Sequence, residues 1–91
     1  MKNYAILKEA SVLGCPGNYY AVGRVYEDYN KRFADGLYIV TSDILFVYFI
    51  DGKYYLTTRN SLYEAPNLQL PQELAKLFVA SGELCLREEE L

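Results

Sequence analysis

Ninety-one residues with 52% hydrophobic side chains describe one globular domain, too rich in apolar surface for a disordered chain. The net charge of −3 is local: residues 1–66 balance seven bases against seven acids, so residues 67–91 carry the whole excess. Such totals speak against a strong nucleic-acid binder.

No apolar run approaches the roughly 20 residues of a membrane span. The longest is Ile44 to Ile50. The opening Met1-Lys2-Asn3-Tyr4 has one lysine but no sustained apolar region after it, so no secretory signal is expected. Cys15 and Cys85 are then expected as free thiols in a reducing cytoplasm.

In chain order, Tyr4 to Lys8 reads as a first strand. A loop, Gly14-Cys15-Pro16-Gly17-Asn18, leads into a strand from Tyr19 to Tyr26. Residues 27–34 form a polar connector, expected as an exposed loop in which Glu27 and Asp28 make a solvated turn. The turn pair Asp35-Gly36 precedes Leu37 to Thr41, rich in β-branched and aromatic residues. Ile44 to Ile50 then leads into Asp51-Gly52, and Lys53 to Thr58 leads out. Asp-Gly between two such runs signals a hairpin, because a type I′ turn needs positive φ at both central positions. Arg59-Asn60 turns the chain into Ser61 to Ala65, completing a three-strand meander.

The pattern changes after Pro66. Pro71 suits the first turn of a helix, and Leu74, Leu77 and Phe78 recur at helical spacing. Gly82 is placed to end that helix in a left-handed conformation, which predicts a helix over about 71–81. Leu84 to Leu86 adds a last short strand, and 87–91 is an acidic tail. The expected architecture is mainly β. An SH3-like barrel of five or six strands with one short C-terminal helix comes first, and a curved open antiparallel sheet packed on the helix second. The strand 44–50 is apolar on both faces, so helix, barrel wall or a second subunit must cover what the core does not.

Chemistry is scarce. The chain has no histidine, which removes the usual proton shuttle and commonest zinc ligand. The two cysteines stand seventy positions apart with no metal-site spacing. The Gly14–Gly17 loop lacks the lysine and helix of a phosphate loop. Asp35, Asp43 and Asp51 sit at strand ends, where local backbone hydrogen bonds account for them. No cofactor, metal or catalytic residue is expected, and neither is an enzyme.

Ten tyrosines remain to be explained. Tyrosine pairs a rigid apolar body with a polar tip and is enriched at protein interfaces, although it is also a good strand residue. Tyr19, Tyr20, Arg24, Tyr29 and Arg59 are expected on one exposed side as the partner-binding surface. The primary expectation is a protein partner. Alternatives are a small ligand or single-stranded nucleic acid stacked on the same aromatic and basic groups, and a structural homodimer that buries strand 44–50.

The run Phe33-Ala34-Asp35-Gly36-Leu37-Tyr38-Ile39-Val40-Thr41-Ser42, then Thr58-Arg59-Asn60-Ser61-Leu62-Tyr63, resembles a pattern in small uncharacterised phage, prophage and mobile-element proteins. With a Gly-Arg-Val-Tyr-like strand at Gly23 to Tyr26, the resemblance covers about residues 23–63. It implies a phage or mobile-element origin. By analogy with small acidic proteins of that origin, it also implies an inhibitor of a bacterial defence system, of the anti-CRISPR kind.

Overall fold

The computed structural model describes residues 3–78 and 82–86. In chain order these form β1 (Asn3–Leu13), β2 (Tyr20–Tyr26), β3 (Tyr38–Val40), β4 (Phe46–Ile50), β5 (Lys53–Thr57), β6 (Ser61–Ala65), α1 (Gln72–Ala75) and β7 (Glu83–Cys85). The strands make a single seven-stranded sheet in the order β3-β2-β1-β6-β5-β4-β7. It does not close into a barrel, so the curved open sheet is the architecture found. It is also mixed, because β1 and β6 run parallel from Asn3↔Ser61 to Ile6↔Glu64.

The meander β4-β5-β6 forms as its turns dictate. Asp51 and Gly52 have φ of 51° and 80°, the positive pair a type I′ turn demands. That two-residue turn fixes the register at Ile50↔Lys53, Tyr48↔Tyr55 and Phe46↔Thr57. The strand β3 is not part of this succession. It pairs with β2 instead, at the opposite end of the sheet from β4.

The connection from Val40 to Phe46 shows why the sheet must curl. In a flat sheet, β3 and β4 would stand five spacings apart, about 24 Å. Six fully extended residues reach only about 21 Å. The link is tied at both ends: Thr41 N–H donates to Ala21 O (2.8 Å), Ile44 N–H to Tyr19 O (2.8 Å) and Leu45 N–H to Thr57 O (2.8 Å). Thr41 Oγ1 accepts from Ala21 N–H at 2.9 Å and donates to Ser42 O at 2.8 Å.

β1 runs to Leu13, well beyond the expected end at Lys8. Its buried residues change parity midway, from Ala5 and Leu7 to Ala10 and Val12. A bulge does this. Between Lys8↔Arg24 and Ser11↔Val22, Glu9 and Ala10 oppose Gly23 alone, and Glu9 adopts φ of 53°. The extra residue turns both halves of the strand toward the core and bends it over β2. The core itself lies on the concave side, where Leu7, Val25, Ile44, Val47 and Leu56 are fully buried.

The C-terminal helix is much shorter than 71–81. Only Gln72–Ala75 is helical, with Pro71 just before it at the N-cap. Leu77 and Phe78 donate to Leu74 and Ala75, three residues back, which winds the chain off the helix. Leu74 alone is buried, while Leu77 is exposed, so packing supports one turn and no more. Residues 79–81 and the acidic tail at 87–91 lie outside the described residues. Gly82 does take a left-handed φ of 68°, but its carbonyl serves β4, accepting from Phe49 N–H at 2.7 Å.

Candidate functional site

The sequence-derived surface does not assemble. Tyr19 is only 5% exposed and belongs to the core cluster, and its carbonyl accepts from Ile44 N–H at 2.8 Å. Tyr20 is half-buried and opposes Leu13 at the far end of β2. Arg24 is exposed mid-strand, between Lys8 and Tyr38. Tyr29 and Arg59 are exposed on the connector and on the β5–β6 turn. Those two segments are neighbours through Asn3, whose side chain bonds Asn30 Nδ2 and Asn60 O. One buried residue and two separate regions are not one face.

The connector 27–35 also departs from the expected solvated loop. Asp28 is 4% exposed, and its carboxylate takes Arg32 in a fork: Nη2 at 2.8 Å to Oδ1, and Nε at 3.1 Å to both oxygens. Arg32 backbone N–H donates to the same carboxylate. Arg32 Nη1 reaches Ser61 Oγ at 3.0 Å, and the guanidinium carbon lies 4.9 Å from the Phe33 ring centroid. The Arg32 hydrogen bonds hold the Asp28 carboxyl below its ordinary range against the opposing effect of burial. A hollow of about 630 Å³ is lined by Glu27, Tyr29, Lys31 and Phe33 among others. Its Asp28 is engaged by Arg32, and Asp35 Oδ1 accepts Glu27 N–H at 2.8 Å. These groups brace the loop.

The convex side of the meander offers a more coherent site. Cross-strand partners share a face, so the pairings lay out one row as Glu83-Tyr48-Tyr55-Glu64-Ile6 across five strands. The neighbouring row is Cys85-Phe46-Thr57-Leu62-Tyr4. Phe46 and Tyr48 stack at 5.8 Å between centroids with planes 18° apart. Tyr48, Ile50, Tyr55 and Leu62 line an apolar hollow of about 340 Å³. Ile50 is exposed, and the other three are half-buried.

The polar groups on this face are organised around Glu64. Tyr4 Oη donates to Glu64 Oε1 at 3.2 Å, and Lys53 Nζ stands 3.9 Å from Oε2. Burial, with Glu64 second, pushes the Tyr4 phenol up; burial, with Glu83 second, does the same to Tyr48. Among the described residues, no group of three or more carboxylate or thiol side chains is arranged to hold a metal ion. No helix there is long and apolar enough to cross a membrane.

Sequence reasoning passed over Tyr48, Tyr55 and Leu62 as ordinary meander residues. The signal was present: a two-residue Asp-Gly turn by itself sets Tyr48 opposite Tyr55. What the sequence lacks is the long-range parallel pairing of β1 with β6, which brings Tyr4 and Ile6 alongside. No family model, curated protein or solved structure matches this chain.

Proposed function

We propose that the chain is a non-catalytic protein-binding module whose recognition face is the convex surface of β4, β5 and β6. One observation carries this reading: Tyr48 and Tyr55 stand side by side and, with Ile50 and Leu62, line an open apolar hollow. Aromatic side chains with wet polar tips around an apolar depression are the usual anchors of protein interfaces. The carboxylates of Glu64 and Glu83 within the same rows disfavour a polyanion there, which supports a protein over a nucleic acid. The resemblance over residues 23–63 makes a component of a bacterial defence system the first partner to try.

Tyr55→Ala combined with Leu62→Ala is expected to weaken partner binding by about 100-fold or more, at about 1.4 kcal/mol per tenfold. Both side chains point away from the core, so the melting temperature should fall by only a few degrees, about 4–8 °C per kcal/mol. Capture from one bacterial lysate by the wild type, this variant and a Tyr29→Ala control compares the surfaces directly. Partners lost with the control but retained by the double variant would move the recognition face to the connector.

A further inference from the structure

We infer that the convex face takes an arginine side chain of its protein partner, the stem lying across Tyr48 and Tyr55 and the guanidinium on Glu83. This rests on the recognition face proposed above and assigns the chemistry of what docks there. The pairings set Glu83, Tyr48, Tyr55 and Glu64 in one row on adjacent strands, about 4.8 Å apart at each step. Two tyrosines therefore lie between two carboxylates, and a cation over Tyr48 is one strand spacing from position 83.

The two ends of this row differ. The Glu64 side chain is 16% exposed, and its oxygens already serve Tyr4 Oη at 3.2 Å and Lys53 Nζ at 3.9 Å. Glu83 is exposed on β7, which ends the sheet. Its charge is felt at Tyr48, where it is second to burial in pushing the phenol up. Strands β4 to β7 carry three charged residues, Lys53, Glu64 and Glu83. With Lys53 at Glu64, their net negative charge lies toward Glu83. A carboxylate has about four acceptor positions, so Glu83 can take a guanidinium in addition to its contacts within the chain. Arginine fits better than lysine, because a planar guanidinium stacks on an aromatic ring and forks onto a carboxylate, whereas an ammonium is a strongly hydrated point charge. Ile50 and Leu62, in the same hollow, suit apolar neighbours of that arginine. The far end of the convex side is basic instead. Lys8 and Arg24 oppose each other on β1 and β2, with Lys8 Nζ 4.9 Å from the Tyr26 ring centroid. Charge complementarity thus directs a cationic side chain to β4–β7 and away from β1–β2.

Two end-blocked tripeptides, Leu-Arg-Leu and Leu-citrulline-Leu, separate charge from apolar contact, since citrulline keeps the shape of arginine without its charge. Each is titrated into the nitrogen-15-labelled full chain and followed by its amide NMR signals. The arginine peptide should shift Tyr48, Tyr55 and Glu83 with a dissociation constant of about 1–10 mM, the range of so small a fragment. The citrulline peptide on the wild type, and the arginine peptide on Glu83→Gln, should each bind about fivefold more weakly. The spectrum of the variant itself shows whether it is folded, and the comparison of the two peptides on the wild type needs no variant. Equal affinity for the two peptides at the tyrosines would overturn the arginine assignment and leave the recognition face standing. Unchanged arginine-peptide affinity in Glu83→Gln, or no shift at Tyr48 and Tyr55 up to about 20 mM, would also overturn it. Shifts confined to the connector 27–35 would overturn both the assignment and the face.

Discussion

Asp28→Ala is expected to lower the unfolding free energy by about 3 kcal/mol, the low end for breaking a buried ion pair. The low end applies because the Arg32 side chain retains 27% exposure while Asp28 has 1%, so the orphaned guanidinium can still find water. Calorimetry would read this as a melting temperature lowered by roughly 12–24 °C. Loss of the carboxylate removes the whole fork at once and releases Arg32 from Ser61 and Phe33.

The same pair sets an acid dependence. The Asp28 carboxyl is held below its ordinary value of 3.8, first by the Arg32 hydrogen bonds. Between the folded and unfolded values the unfolded chain binds a proton that the native chain does not, so stability rises with pH across that window. The contribution is complete above the unfolded value and disappears as pH falls through the folded one. Asp28→Asn should flatten this part of the stability profile, leaving wild type and variant closer together in strong acid than at neutral pH. Denaturant unfolding at a series of pH values measures it.

Gly23→Ala is the second large effect. A Cβ at residue 23 would lie 2.8 Å from Lys8 O, 3.0 Å from Leu7 Cγ and 3.1 Å from Ala10 Cα. Two of these atoms belong to the backbone of the bulged strand, so relief requires β1 to lift from β2. Overpacking of this kind costs about 2–3 kcal/mol, or roughly 8–24 °C in melting temperature. Glycine is needed here for close approach, since two residues of β1 bend over one of β2. A destabilisation below about 1 kcal/mol would mean that β1 accommodates a methyl group without strain.

These two sites show which parts of the fold the sequence discloses. The hairpin at Asp51-Gly52 was legible because turn chemistry is local and its register follows from loop length. The bulge at Glu9-Ala10 was not, since a parity change reads as the end of an alternating strand. That is why β1 was expected to stop at Lys8. Asp28 misled for a similar reason: an acidic pair in a polar connector is normally solvated, and only the four-residue spacing to Arg32 hints at a fork. The helix was overextended because Leu77 keeps helical spacing without a core to face. Tyr19 has the composition of an interface residue and the position of a core residue, and only the crossing of Ile44 beside it decides between them.

The candidate face was half legible. Tyr48 and Tyr55 follow from the hairpin, while Tyr4 and Leu62 meet through a parallel pairing between residues nearly sixty positions apart. Nothing local announces that contact.

The chain contains its own reporters for the proposed recognition face. Cys85 is exposed and lies beside Phe46 at the margin of the convex surface, whereas Cys15 is exposed in the β1–β2 connection. Thiol labelling followed by mass spectrometry, with and without a captured protein partner, reads both positions in one sample. Slowed modification of Cys85 with Cys15 reacting at its free rate is the result expected from docking on β4–β6. Protection of Cys15 with Cys85 unchanged would contradict it.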